Sequence, residues 1–137
     1  MINQQKIYKE LLQLLKNSYS PYSKFATAAI VETNKGRFKG VNVENASYGG
    51  TVCAERVAIF NAVANGARQF KTLYCITSSP REDIVSCGMC LQVMAELFKA
   101  STQIYFFNKK GKCKKYLFKD FLPYCFNSTH LHNKGKK

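Results

Sequence analysis

The sequence predicts an α/β domain in which one sheet is covered by helices on both faces. Three observations predict it. Residues 4–17 carry Ile7, Leu11, Leu14 and Leu15 at helical spacing, so the chain opens on an amphipathic helix. Further on, apolar runs of strand length alternate with apolar segments of helical length, and Leu73-Tyr74-Cys75-Ile76 is the clearest of those strands. Strands that alternate with helices in this way build a sheet with helices on both sides.

Each element has its own signal. Ser18-Tyr19-Ser20-Pro21-Tyr22-Ser23 breaks the first helix, and residues 25–32 and 37–43 read as hairpin strands joined through Thr33-Asn34-Lys35-Gly36. A loop around Ser47-Tyr48-Gly49-Gly50 leads into a helix over 52–64, which is apolar all round and therefore expected to be buried; Asn65-Gly66 stops it. A buried strand over 72–78, a loop over 79–85, a third helix over 88–99 and a strand over 103–107 follow. A short strand within 113–118 and a helical turn complete the order α-β-β-α-β-α-β-β, which puts an active site near strand ends and helix N-termini. Repeats, low-complexity tracts and linkers are absent, so residues 1–137 read as one domain with a flexible basic tail from about residue 130.

With 137 residues, 46% of them hydrophobic, the chain can bury a core without staples. Its first residues lack the apolar stretch of a signal peptide and no run approaches a membrane span, so the expectation is a soluble, cytoplasmic protein. There, six cysteines point to metal binding before disulfides. Cys75, Cys113 and Cys125 sit among apolar or aromatic neighbours and read as small buried hydrophobes. The net charge of +13 gathers at Lys109, Lys110, Lys112, Lys114 and Lys115 and at Lys134, Lys136 and Lys137. Such charge attracts nucleic acid, but no aromatic platform accompanies it. It reads as a solvated turn and a frayed tail, and nucleic acid is not the expected partner.

The chemistry lies in Cys53-Ala54-Glu55 and Cys87-Gly88-Met89-Cys90. Three thiolates can hold zinc and leave a fourth position for water, and Glu55, two residues from one ligand, can move protons for that water. Cys53 begins one predicted helix, while Cys87 and Cys90 begin another, where the macrodipole favours thiolates. Three thiolates over-neutralise a divalent cation, and Arg56 is a candidate to compensate by hydrogen bonding to a sulfur. A structural zinc site would close on a fourth protein ligand, and no obvious one lies near these three.

This C-x-E with C-x-x-C is a signature of zinc nucleobase deaminases. Asn42-Val43-Glu44-Asn45-Ala46-Ser47-Tyr48, Cys53-Ala54-Glu55-Arg56 and Cys87-Gly88-Met89-Cys90-Leu91-Gln92-Val93 together resemble the small homotetrameric cytidine deaminases. Tyr19-Ser20-Pro21-Tyr22-Ser23-Lys24-Phe25 and Leu122-Pro123-Tyr124-Cys125-Phe126 resemble them too, so the likeness spans nearly the whole chain. It implies a three-layer α/β/α fold around a mixed five-stranded sheet, with one zinc per subunit. The implied reaction is hydrolysis of cytidine and deoxycytidine to uridine and deoxyuridine plus ammonia, in pyrimidine salvage.

By the same resemblance Cys53, Cys87 and Cys90 bind zinc, with Arg56 and Gln92 beside them. Glu55 carries a proton from water to ring N3 and then helps the amine leave. Asn42 and Glu44 contact the ribose, the Ala54 backbone bonds the base, and Phe25 lines the pocket. Phe126 stacks on the pyrimidine of a neighbouring chain, and the loop of Ala46 and Tyr48 also reaches across.

Three departures stand out: Ser86 where proline is usual, Leu91 where arginine is common, and Thr27-Ala28 where Val-Gly is frequent. They bear on rate and substrate range more than on reaction type. One alternative is a deaminase of another aminopyrimidine nucleoside. The other is a non-catalytic basic zinc module that binds RNA, and it leaves Glu55 idle. Asn42 and Glu44 favour a free nucleoside, because a carboxylate there would repel a nucleotide's phosphate.

Overall fold

A computed structural model describes residues 3–131; most of the basic tail, including Lys134, Lys136 and Lys137, lies outside the described residues. The chain runs through α1 (Gln4–Leu15), β1 (Thr27–Thr33), β2 (Gly36–Val41), α2 (Ala54–Ala64), β3 (Phe70–Thr77), α3 (Gly88–Leu97), β4 (Gln103–Phe107) and β5 (Cys113–Leu117). Single 3-10 turns occupy Tyr48–Gly50, Phe118–Asp120 and Ser128–His130. The strands form one mixed sheet in the order β2-β1-β3-β4-β5, parallel between β3 and β4 and antiparallel elsewhere. The connection between the two parallel strands passes through α3, because parallel neighbours cannot be joined by a tight turn.

Alternation along the central strands builds the layers. Ala28, Ile30, Tyr74, Ile76, Tyr105 and Phe107 form one core with Ile7 and Leu11 of α1. Their neighbours Ala29, Val31, Leu73, Cys75, Ile104 and Phe106 form the opposite core with Ala58, Ile59 and Ala62 of α2 and Leu91 and Met94 of α3. The apolar run in β3 thus divides between two faces, each covered by helix.

Local chemistry sets the ends of these elements. Asn3 caps α1 by accepting from the Lys6 amide at 3.0 Å. In the β1–β2 turn the Thr33 hydroxyl accepts from the Lys35 amide at 3.0 Å and donates to the Gly36 carbonyl at 2.9 Å, with Gly36 at φ +115°.

Two expectations need correction. Helix α2 is not buried all round, since Phe60 is 50% exposed and Asn61 faces outward; only one side packs on the sheet. Of the three cysteines outside the zinc motifs only Cys75 is buried, whereas Cys113, on the edge strand β5, and Cys125, in the C-terminal segment, are half-exposed. The lysines of the β4–β5 turn are exposed, as a solvated turn requires.

One close approach matters for the site. Gly40 of β2 lies against the backbone of α2, so that a Cβ there would stand 2.4 Å from the Ala58 nitrogen and 2.5 Å from the Ala54 oxygen. The first turn of α2 is thereby set directly on the sheet edge.

Candidate active site

Two helix starts converge beside the sheet. Cys53 is the N-cap of α2 and Cys87 the N-cap of α3, and neither cap makes a side-chain hydrogen bond to its helix. Cysteines therefore stand where serine or aspartate would normally satisfy the helix end. Cys90 lies in the first turn of α3, three residues after Cys87, which brings the two sulfurs to the same side. The Sγ atoms are 3.7 Å apart for Cys53 and Cys87 and 3.6 Å apart for Cys87 and Cys90. All three lie within 4.8 Å of one another.

These separations test the fit to zinc. Tetrahedral bonds of about 2.3 Å place neighbouring sulfurs about 3.8 Å apart, close to what is observed. A disulfide would need about 2 Å. Among the described residues no fourth His, Cys, Asp or Glu joins the cluster. The donor set fits zinc with three protein ligands.

The electrostatics favour thiolate at Cys53, which the neighbouring Cys90 thiol and then Arg56 pull down to about 5 against its own burial. The pairing with Cys53 pushes Cys90 up. Arg56 Nη2 lies 3.6 Å from Cys53 Sγ, so Arg56 is a partner of a sulfur and not a solvated helix charge.

Glu55, one residue into α2, is 8% exposed. Burial pushes its carboxyl above the usual range, opposed by a hydrogen bond from Ser86. That bond, from Ser86 Oγ to Glu55 Oε1, is 2.7 Å long between two buried groups. In the sequence Ser86 stands out only as a residue where proline is usual.

Glu55, Cys53 and Cys87 line a cavity of about 170 Å³, walled by Phe25, Ala28, Ile76, Val85 and Phe106 among others. Thr77 also lines it, and its buried hydroxyl has no partner among the described residues. Thr51 lines both this cavity and an open cleft of about 400 Å³, whose other walls are Tyr22, Ser23, Glu44 and Tyr48. The two spaces adjoin: a small apolar chamber ending at the sulfurs, and a wider polar vestibule.

The other expected residues fall as follows. Asn42, just past β2, lines the chamber but commits its side chain to the protein. Its Oδ1 accepts from the Thr27 amide at 2.9 Å and from the Ser18 hydroxyl, while its amide donates to the Phe25 carbonyl at 2.8 Å. Asn42 thus fixes the segment that carries Phe25. Glu44 accepts from the Ser23 hydroxyl and from the Tyr22 amide at 2.8 Å, and these bonds hold its carboxyl below the usual range.

Tyr48 is 76% exposed at the vestibule rim, whereas Ala46 is exposed and lines neither space. Ala54 is buried and its side chain lines neither. Gln92 donates to the Phe126 carbonyl at 2.8 Å, so its amide tethers the C-terminal segment and makes no bond to a sulfur. Phe126 lies 56% exposed, stacked on His130, and does not line the chamber of its own chain. Nothing in the sequence singles out Ser18, Ser23 or Thr77 as site residues, because single hydroxyls have no spacing that marks them.

Known proteins match this arrangement. Residues 1–106 match the family model described as the cytidine and deoxycytidylate deaminase zinc-binding region. A cytidine deaminase of Halalkalibacterium halodurans is 35% identical over 96% of this chain and 100% of its own length. One of Mycoplasma genitalium is 31% identical over 93% and 98%. The crystal structure of a cytidine deaminase from Burkholderia pseudomallei superposes with a TM-score of 0.84 at 36% identity, covering 92% of this chain and all of that one. With the three-sulfur cluster, the buried glutamate and the mixed sheet in the same places that the sequence motifs led one to expect, the chain belongs to the cytidine and deoxycytidylate deaminase family.

Proposed function

We propose that the protein hydrolyses cytidine and deoxycytidine to uridine and deoxyuridine with release of ammonia. The observation that carries this reading is the buried Glu55 sharing one small chamber with two of three zinc-spaced sulfurs. Zinc, held by Cys53, Cys87 and Cys90, would supply a Lewis acid that lowers the pKa of water. Glu55 would take a proton from the attacking water, deliver it to ring N3, and serve again as the amine leaves. Its burial suits a carboxyl that must pass between its two states near neutral pH.

The chamber and vestibule match the two halves of a nucleoside. The apolar walls of Phe25, Ile76 and Phe106 suit a flat ring, and the free Thr77 hydroxyl offers it a polar contact. Glu44, already ionised, faces the vestibule, where it can accept from sugar hydroxyls and would repel a 5′ phosphate. The test is loss of ultraviolet absorbance from cytidine and from deoxycytidine with purified zinc-loaded protein. Turnover of both, abolished by a chelator and restored by zinc, is the expected result; inert cytidine with one zinc per chain would defeat the reading.

The active form is a homotetramer, with Phe126 and the Ala46–Tyr48 loop of one chain closing the site of another. Exposed Phe126, Tyr124 and Tyr48 support this, being large aromatics that a lone chain would leave in water. Phe126→Ala is expected to raise KM for cytidine about tenfold with zinc content unchanged, the scale of losing one well-packed aromatic contact. Steady-state kinetics beside metal analysis check it, and an unchanged KM argues for a site complete within one chain. No helix among the described residues is long and apolar enough to cross a membrane. A reaction on free nucleosides supports a cytoplasmic location.

A further inference from the structure

Ser86 stands immediately before the N-cap of α3, and Glu55 stands two residues beyond Cys53, the N-cap of α2. Their 2.7 Å hydrogen bond therefore joins the two sulfur-bearing segments at the carboxylate itself. Both residues are buried, Ser86 to 5% exposure. Ser86 Oγ has no other hydrogen-bond partner among the described residues, and no other side chain among them donates to the Glu55 carboxylate. A proline at this position would leave that carboxylate without its side-chain donor.

We propose that Ser86 is a positioning residue, whose hydroxyl holds the Glu55 side chain in one rotamer by occupying Oε1 and leaves Oε2 to carry the proton. The inference rests on the deamination reading above for its kinetic consequence. Its physical basis is separate. A glutamate has several rotatable bonds, and a chamber of about 170 Å³ gives the carboxylate room to turn away from the reacting atoms. A charge-assisted hydrogen bond from a buried hydroxyl removes that freedom at the atom that must be in place. Loss of such an anchor lowers the fraction of molecules poised to react and leaves ring binding nearly untouched, so it reads out in kcat more than in KM.

The experiment compares zinc-loaded wild type with Ser86→Ala and Ser86→Thr. Ser86→Ala is expected to lower kcat about tenfold, with KM for cytidine within about twofold and zinc content unchanged. Ser86→Thr, which keeps the hydroxyl, is expected to recover to within about threefold of wild type. Crystal structures of the same zinc-loaded proteins without substrate should show one Glu55 rotamer in wild type and more than one in Ser86→Ala. Should Ser86→Ala not fold, Ser86→Cys, close in volume but a weak donor, replaces it in both measurements.

An unchanged kcat in the alanine variant overturns the proposal, as does a single unmoved Glu55 rotamer. Equal losses in the alanine and threonine variants, accompanied by lost zinc, overturn it in favour of packing alone. An inactive wild type would defeat the deamination reading, while the rotamer comparison would still decide the role of Ser86.

Discussion

Glu55→Gln is expected to reduce kcat for cytidine by roughly a thousandfold, within the range that a positioned proton carrier contributes. The substitution keeps shape and hydrogen-bonding reach, so the chamber should survive. Its oxygen can still accept from Ser86, which donates to Oε1 in the wild type. What it loses is the capacity to take a proton from water and pass it to the ring. The three sulfurs lie on other residues, so metal analysis should still find one zinc per chain. Zinc retained with turnover lost separates the proton-carrying role from a ligand role. A variant that turns over at more than about a tenth of the wild-type rate would sink the mechanism, because another group would then be moving the proton.

Gly40→Ala is expected to damage the protein from the opposite side of α2. The added methyl would lie 2.4 Å and 2.5 Å from two backbone atoms of that helix, which cannot rotate out of the way as a side chain can. Relief means moving α2 by about 1 Å, with the cost of overpacking at about 3 kcal/mol. In a domain of this size that corresponds to a fall in Tm of roughly 10 °C. Helix α2 carries Cys53 and Glu55, while α3 carries Cys90 behind its Cys87 cap. A shift of one helix alone therefore spoils the sulfur spacing, and turnover should fall about a hundredfold in whatever protein remains folded. Thermal melts, zinc content and kinetics on the soluble fraction check the three effects together. A Tm within about 2 °C of wild type would mean that the sheet edge yields in place of the helix.

Much of the fold was legible because periodicity reports burial directly. The strand expected over 103–107 is observed at Gln103–Phe107, and the expected helices lie within two residues of their observed ends. The miss at α2 has the same cause. An unbroken apolar sequence shows that a segment avoids water and not which side does so, so the exposed Phe60 went unseen. In the site, spacing exposed the three cysteines and Glu55, because a metal demands several donors at fixed intervals. Arg56 was legible as a candidate for a sulfur contact but not distinguishable from a surface charge until its guanidinium stood 3.6 Å from Cys53.

By itself the amino-acid order determined the candidate reagents: three thiols and one acid, each placed at or near the start of a helix, on a chain long enough to bury a core. Only the tertiary structure decided how those reagents are held. It showed that Ser86 grips Glu55, that Asn42 is spent on Phe25 and Thr27, and that a polar vestibule adjoins an apolar chamber through Thr51. The physical reason is that metal ligation and helix formation obey short-range spacing, written along the chain. A hydrogen bond between residues 31 apart depends on where two helices come to rest, and that is a property of the packed core.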